Sequence, residues 1–302
     1  MLDQLQGLHI EPTNMCTLKC PRCSRTEFIE QFPSKWVNKN LDLAALKQFI
    51  DVDLTGKIIE ICGTYGDAIY YDKLFEMVKY FKQLGSKISI STNGSYRSKE
   101  WWNELGTILD SDDQIIFGID GLPDNFTNYR INADWASIEA GIKVLRKHPV
   151  KLVWQFIPFS YNETQINQTR ELSQDLGFDE FFVLHSNRWD HGIEELTPSN
   201  ALNNLSLAKI NWKKSSQPTE VSPKCTITNK THYISADGFY TPCCYIAEHR
   251  WYYKSKFYKH KDNYDISKTT LSQILTSSDT IDFYNSINDA KLNYCIFNCP
   301  KL

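Results

Sequence analysis

The chain has 302 residues, of which 41% are hydrophobic and 23% charged, and its formal net charge is -3. This composition is typical of a soluble globular protein that is long enough for one domain of about 200 residues and a smaller second one. The slightly negative charge provides no overall basic field to hold a polyanion. The sequence has neither a signal peptide nor an apolar run of about 18 residues, so we expect a cytoplasmic protein without a membrane partner.

Short apolar runs alternate with stretches of helical period through the first 190 residues. The predicted strands are residues 8–13, 57–63, 87–93, 114–120, 151–157 and 179–185. The predicted helices are residues 41–50, 71–84, 98–109, 135–147 and 163–176, with Gly85 and Gly177 where helix C-caps are expected. Repeated βα units require parallel strands with right-handed crossovers, so we predict an α/β fold, a partial (β/α)6 barrel. Functional residues of such barrels gather at the carboxyl ends of the strands.

Three cysteines, Cys16, Cys20 and Cys23, follow the first predicted strand in the pattern C-x3-C-x2-C. Thiolates are soft ligands, and three of them on one loop can hold three corners of a [4Fe–4S] cube and leave one iron open. A partial zinc knuckle, or three ordinary thiols, would have the same spacing. The odd total of nine cysteines, in a chain without a signal peptide, favours metal ligation over disulfides.

Polar residues follow the second and third predicted strands. Gly66 would let the backbone approach a ligand closely, and the carboxylate of Asp67 could accept hydrogen bonds from an ammonium group. Ser91 and Asn93 end the third strand and suit hydrogen bonding to a ribose or a carboxylate. Each of these segments could equally be a plain turn.

The fourth and fifth predicted strands carry a similar signal. Asp120 ends the fourth strand, and the guanidinium of Arg130, a short loop later, matches a carboxylate. Gln155 is a polar residue inside an apolar strand. No catalytic residue can be assigned, since Tyr65, Gln155 and His185 lie only near the predicted barrel mouth.

Together these motifs resemble the radical S-adenosylmethionine (radical SAM) superfamily, whose members carry C-x3-C-x2-C after the first barrel strand. The resemblance implies that Cys16, Cys20 and Cys23 hold a [4Fe–4S] cluster whose open iron chelates the amino and carboxylate groups of SAM. It also implies contacts with SAM for the strand-end residues, which are Gly66, Asp67, Ser91, Asn93, Asp120, Arg130 and Gln155. Three positions depart from the family pattern: Arg22 replaces a common aromatic residue, Asp67 replaces the usual glutamate, and Gly118 replaces a common serine.

The last third of the chain changes character. Residues 191–222 are polar and read as a linker between a barrel, residues 1–190, and a small domain, residues 223–302. In that domain we predict a hairpin with an Asp237-Gly238 turn, and helical stretches at 270–275 and 280–287.

Four cysteines surround the hairpin, namely Cys225, Cys243, Cys295 and Cys299. A structural zinc ribbon would use the same four thiolates. The pattern C-x12-G-x4-C through Gly238 resembles the opening of the SPASM and twitch auxiliary-cluster motif. The resemblance implies the shorter twitch type, with one auxiliary [4Fe–4S] cluster on these cysteines and Cys244 as a buried neighbour.

The resemblance implies a radical SAM oxidoreductase or maturase. It would cleave SAM reductively to a 5′-deoxyadenosyl radical, abstract hydrogen from a substrate C–H bond and pass an electron to the auxiliary cluster. A donor such as flavodoxin or ferredoxin would supply electrons, and the substrate would be a peptide, a protein or a small molecule. Because the first strand begins near Met1, we expect no fused leader-binding domain.

Two other functions remain open, and the first is a radical SAM enzyme that modifies nucleic acid. Residues 249–261 interleave basic and aromatic residues, which could stack bases of a nucleic acid, although the acidic chain favours an aromatic lid. A non-enzymatic, cysteine-rich metal-binding protein is the alternative from another class.

Overall fold

A computed structural model of the protein describes residues 5–184, 196–198, 222–223, 225, 232–287, 295 and 299. The chain divides into two compact units. The first unit comprises Met1–Met15, Phe32–Lys87 and Trp212–Leu302, and the second comprises Cys16–Gln31 and Ile88–Asn211.

The strands of the first unit form a sheet in the order β2-β1-β7-β8. Its elements are β1 (Gly7–Ile10), α2 (Leu43–Phe49), β2 (Ile58–Ile61), α3 (Leu74–Gln83), β7 (His232–Ile234) and β8 (Tyr240–Thr241). β1 pairs in parallel with β2 on one side and with β7 on the other, and β7 turns back antiparallel into β8. The hairpin was predicted from its Asp-Gly turn, whereas its parallel attachment to β1 was not.

The strands of the second unit run parallel in the order β3-β4-β5-β6. Its elements are α1 (Ser24–Gln31), β3 (Lys87–Thr92, in this unit from Ile88), α4 (Lys99–Ile108), β4 (Gln114–Gly118), α5 (Trp135–Leu145), β5 (Lys151–Phe156), α6 (Ile166–Asp175) and β6 (Glu180–Val183). Helices alternate with the strands as the periodicity predicted. α1, which follows the cysteine loop, was not predicted.

The two faces of the β3-β4-β5 sheet differ in chemistry. The strand register puts Ser91, Gly118 and Gln155 on one face, because paired residues and residues two apart point the same way. On the opposite face, Phe117 packs 5.7 Å from Trp102 of α4, measured between ring centroids. The helices therefore cover the apolar face, and the other face carries the polar residues.

Between the hairpin and residue 287, the structure contains five short helices. They are α7 (Cys244–Ala247), α8 (His249–Tyr252), α9 (Lys256–Lys259), α10 (Leu271–Thr276) and α11 (Ser278–Ser286). Thr270 and Gln273 form a capping box that begins α10. Short 3-10 turns occur at Pro33–Lys35, Ala68–Tyr70, Phe126–Asn128, Glu163–Gln165 and Lys261–Tyr264.

The predicted fold class, an α/β partial barrel followed by a hairpin and helices, is confirmed. β1 to β6 alternate with helices, and each described pairing among them is parallel. The first strand ends at Ile10 rather than at residue 13, because Pro12 has no N–H to continue the ladder. Gly85 has φ +73° and ends α3, where the N–H of Ser86 donates to the carbonyl of Phe81 at 3.0 Å.

The domain division proposed from the sequence stays a prediction. Most of its linker, residues 191–222, lies outside the described residues. Within the described ranges, no helix combines the length and the apolar character needed to cross a membrane.

Gly141→Ala should destabilise the protein, although alanine is the better helix former. A Cβ at Gly141 on α5 would lie 2.5 Å from Nε1 of Trp102, whose side chain is fully buried. Overpacking of this kind costs about 1–3 kcal/mol, which exceeds the gain of about 1 kcal/mol in helix propensity. Denaturant unfolding measures the difference. Lys143→Ala, an exposed change on the same helix, should alter stability by less than about 0.5 kcal/mol, and an equal effect of the two changes would contradict this packing.

Candidate active site

The cysteine loop of the second unit is held in its middle and at its C-terminal end by backbone hydrogen bonds. The N–H of Cys23 donates to the carbonyl of Cys20 at 3.1 Å, and the carbonyl of Cys23 accepts from Glu27 at 3.0 Å as α1 begins. The N–H of Lys19 donates to the carbonyl of Ile131 at 3.0 Å. Cys20 is buried, while Cys16 and Cys23 are partly exposed. The loop thus leaves two of its three thiols, those of Cys16 and Cys23, partly accessible.

Asn93 contacts this loop directly. Its Nδ2 donates to Sγ of Cys16 at 3.7 Å, and its Oδ1 accepts from the N–H of Ser95 at 2.9 Å. The second bond fixes the amide so that its N–H groups face the sulfur. Hydrogen bonds to ligating sulfurs are one way in which proteins tune iron–sulfur clusters.

Asp120 and Arg130, both predicted site residues, form a buried ion pair. Nε of Arg130 donates to Oδ2 of Asp120 at 2.6 Å, and Oδ1 accepts from the N–H of Ile157 at 2.8 Å. Burial acts to lower the pKa of Arg130, but the carboxylate of Asp120 and the nearby thiol of Cys20 outweigh it and raise the pKa. Arg130 therefore stays charged beside the cysteine loop, and Asp120 acts as its fixed partner.

Gly118 explains one departure from the family pattern. A Cβ built there would lie 2.7 Å from Nη2 of Arg130. A serine would therefore displace the guanidinium, whereas glycine, which lacks a Cβ, leaves room for Arg130. Gly118 shares its face of the sheet with Ser91 and Gln155, which are both partly exposed.

Arg22 is a second departure from the family pattern. Its Nη1 pairs with Oε1 of Glu27 on α1 at 2.8 Å, and both side chains are mostly buried. The arginine thus packs onto its own helix, a contact that the sequence analysis did not anticipate.

The loop that follows β2 lies in the first unit and packs closely against the segment after β1. A Cβ at Gly66 would come 1.9 Å from the carbonyl oxygen of Thr13, so only glycine fits. The N–H of Asp67 donates to the carbonyl of Met15 at 2.9 Å. The carboxylate of Asp67 is buried and accepts from the N–H of Ile69, at the start of a 3-10 turn. Its predicted contact with an ammonium group stays a prediction.

Sequence reasoning missed Glu11, which directly follows β1. Its Oε1 accepts from the N–H groups of Tyr65 at 2.7 Å and Gly66 at 3.0 Å, and its Oε2 accepts from the hydroxyl of Tyr233. Burial raises the pKa of Glu11 from 4.5 to about 7, although these hydrogen bonds act to lower it. The available signal was an acidic residue immediately after a run of buried strand residues.

The four C-terminal cysteines of the predicted auxiliary set share one neighbourhood in the first unit. Burial raises the pKa of Cys295, and the thiols of Cys243, Cys225 and Cys299 raise it further. The N–H of Cys299 donates to the carbonyl of Cys295 at 2.7 Å. Cys244 was predicted to be buried, but it is partly exposed and forms a hydrogen bond with Cys243.

Both cysteine sets fit the donor chemistry of an iron–sulfur cluster, which needs thiolates in a partly desolvated setting. In the described part of the chain, which includes the seven cysteines predicted as ligands, no group of three or more cysteine, histidine or acidic side chains is arranged to hold a metal ion. The assignment of a cluster to either set rests on the thiols and their hydrogen bonds.

His185, named as a candidate from sequence, lies outside the described residues.

Comparison with known proteins points to one family. Residues 10–172 match the family model described as the Radical SAM superfamily. Pre-heme d1 synthase of Dinoroseobacter shibae is 24% identical over 179 residues, which cover 57% of this chain and 41% of that protein. The chain therefore matches less than half the length of this curated relative.

Two solved structures with peptides are similar in fold. SuiB of Streptococcus suis bound to the precursor peptide SuiA has a TM-score of 0.61 at 14% identity, and the match covers 93% of this chain and 67% of SuiB. Native anSMEcpe with bound AdoMet and Cp18Cys peptide has a TM-score of 0.59 at 15% identity, with 97% and 88% covered. At such identities the likeness shows the fold alone.

Asp120→Asn should destabilise the protein strongly, because it leaves the mostly buried guanidinium of Arg130 without its counter-charge. We expect a loss of about 3 kcal/mol in denaturant unfolding. Glu180→Gln is the matched control, since it breaks a 2.6 Å pair with Lys151 whose side chains are 50% and 43% exposed, and it should cost less than about 1 kcal/mol. Equal losses in the two variants would contradict the role of Asp120.

Glu11 should make stability fall as the pH rises. Its pKa is higher in the folded chain, about 7, than its ordinary value of 4.5, so its contribution is complete below 4.5 and lost as the pH rises through 7. Between about pH 6 and about pH 8 the wild type should lose roughly 1 kcal/mol relative to Glu11→Gln in denaturant unfolding. A constant difference between the two proteins over this range would contradict the raised pKa.

Proposed function

The chain belongs to the radical SAM superfamily, and from this premise we propose that it is an oxidoreductase or maturase that oxidises its substrate through a substrate radical. Members of the superfamily bind SAM and a [4Fe–4S] cluster. When bound, these groups would supply one-electron cleavage of SAM to methionine and a 5′-deoxyadenosyl radical that takes a hydrogen atom from a substrate C–H bond. The observation that supports this proposal most directly is the three-cysteine loop, in which Sγ of Cys16 accepts a hydrogen bond from the side-chain amide of Asn93.

Within the second unit, we assign the first cluster to Cys16, Cys20 and Cys23. Asn93 would donate to the sulfur of Cys16 and stabilise added negative charge there. Arg130, fixed by Asp120, holds a positive charge near Cys20 and suits the carboxylate of SAM.

Other predicted contacts with SAM follow from strand position. Ser91 and Gln155 share the polar face of the β3-β4-β5 sheet and would bind the cofactor or the substrate there. In the first unit, Gly66 and Asp67 would receive the ammonium group of SAM. The glycine allows close approach of the backbone, and the carboxylate supplies the acceptor.

We further propose that the domain from residue 223 onward holds one auxiliary [4Fe–4S] cluster on Cys225, Cys243, Cys295 and Cys299. The mutual proximity of these thiols supports this assignment. With all four cysteines as ligands, no iron would be open to the substrate. The cluster would therefore accept the electron of the substrate radical, and the net reaction would be a dehydrogenation or the formation of a bond such as a crosslink.

The proposed substrate is a peptide or a protein, and a small molecule is the second candidate. The SuiB and anSMEcpe structures hold peptides and support the first choice by fold. The relative from Dinoroseobacter shibae, a pre-heme d1 synthase, supports the second. We place the reaction in the cytoplasm, with flavodoxin or ferredoxin as electron donor.

The test of this function is the metal content and SAM cleavage of protein purified and reconstituted without oxygen. We expect about eight irons per chain, the sum of two four-iron clusters, and release of 5′-deoxyadenosine under reductant. About four irons plus one zinc would remove the electron-acceptor role of the second set. Protein without iron would contradict the whole proposal and favour another metal-binding role.

Cysteine variants separate the two sets. Cys16→Ala should abolish 5′-deoxyadenosine release and lower the iron content towards about four. Cys225→Ala should lose a similar amount of iron but still cleave SAM. Cys62→Ala, which alters a cysteine outside both sets, is the control and should change neither result.

A further inference from the structure

Glu11 is a buried carboxylate that was not among the predicted cofactor-binding residues. It is 1% exposed, and both its oxygens accept hydrogen bonds. Moving a carboxylate out of water costs several kcal/mol unless such bonds compensate for it. An apolar side chain at this position would avoid the free-energy cost of desolvation. The presence of a carboxylate therefore indicates a role towards the groups that it binds.

Those partners belong to the loop after β2. Oε1 of Glu11 accepts hydrogen bonds from two consecutive backbone N–H groups, those of Tyr65 at 2.7 Å and Gly66 at 3.0 Å. The chain also folds tightly over the carboxylate, because a Cβ at Gly63 would lie 2.7 Å from the same oxygen. One acceptor atom therefore fixes the course of residues 63–66.

The other oxygen is fixed from the C-terminal part of the first unit. Oε2 accepts from the hydroxyl of Tyr233, a fully buried residue of β7 that lies 222 positions further along the chain. The ring of His9 packs edge-on against Tyr233 at 4.9 Å between centroids. Tyr233 thus holds Glu11 in the one orientation that serves the loop.

We propose that Glu11, held by Tyr233, is a positioning residue that sets the backbone of the Gly63–Asp67 loop for binding the ammonium group of SAM. This inference rests on the proposed function of Gly66 and Asp67. Glu11 itself touches no substrate, since it is buried and both its oxygens are engaged. Its effect on SAM is transmitted through the N–H groups of Tyr65 and Gly66.

The experiment measures SAM affinity by equilibrium dialysis in the full-length reconstituted protein, with iron content determined on each sample. Glu11→Ala should weaken SAM binding about tenfold or more at unchanged iron content, because it removes two hydrogen bonds to a charged acceptor. Glu11→Gln keeps an oxygen for the loop and should stay within about threefold of wild type. Tyr233→Phe should lie between them.

The controls separate positioning from general destabilisation. Tyr80→Phe removes another partly buried hydroxyl of the first unit, which donates to the carbonyl of Lys47 at 3.4 Å, and should leave SAM affinity unchanged. Wild-type affinity in Glu11→Ala and Tyr233→Phe at full iron content would overturn the proposal. If Glu11→Ala does not fold, Tyr233→Phe decides alone.

A second readout does not depend on SAM. Exchange of the amide hydrogens of Tyr65 and Gly66 should accelerate at least about tenfold in Glu11→Ala. If wild-type protein fails to bind SAM, the proposed function fails, while this exchange still tests the hold of Glu11 on the loop. Unchanged exchange would overturn the positioning role itself.

Discussion

Two carboxylates withdrawn from water organise the strand ends of this protein, one in each unit. Removing a carboxylate from water is costly, and each is compensated by backbone N–H groups that follow a neighbouring strand. Glu11, after β1, receives the N–H groups of Tyr65 and Gly66 in the loop after β2. Asp120, after β4, receives the N–H of Ile157 at the end of β5. In both units, a carboxylate that follows one parallel strand fixes the backbone at the carboxyl end of the neighbouring strand.

The same constraint shapes the chemistry of the second unit. The helices cover the apolar face of β3-β4-β5. The opposite face carries Ser91, Gln155 and Gly118, and the missing side chain of Gly118 leaves room for Arg130. Asp120 fixes this arginine beside Cys20, while Asn93 reaches Cys16. A positive charge and an amide therefore face a loop of thiols, an arrangement suited to a cluster that gains an electron.

The six parallel strands and the helices α2 to α6 were predictable because they depend on local periodicity, whereas α1 and the short helices between residues 244 and 259 were not predicted. Short apolar runs predicted all six barrel strands, while the two ligand sets inferred from cysteine spacing stay a prediction. The features that the sequence did not predict depend on residues that are distant in sequence. The hairpin was visible from Asp237-Gly238, but the choice of β1 as the edge that β7 joins is made by tertiary packing. Glu11 could not be assigned a role, because its partner Tyr233 lies 222 positions away.

The central claim is that the iron not ligated by Cys16, Cys20 and Cys23 binds SAM. It is tested most directly by electron paramagnetic resonance of the reduced Cys225→Ala variant, which should retain only the first cluster. SAM labelled with ¹⁵N at its amino group should produce a nitrogen hyperfine coupling on the cluster signal that differs from that of unlabelled SAM. Identical signals with the two forms of SAM, or a signal that SAM leaves unchanged, would contradict the claim.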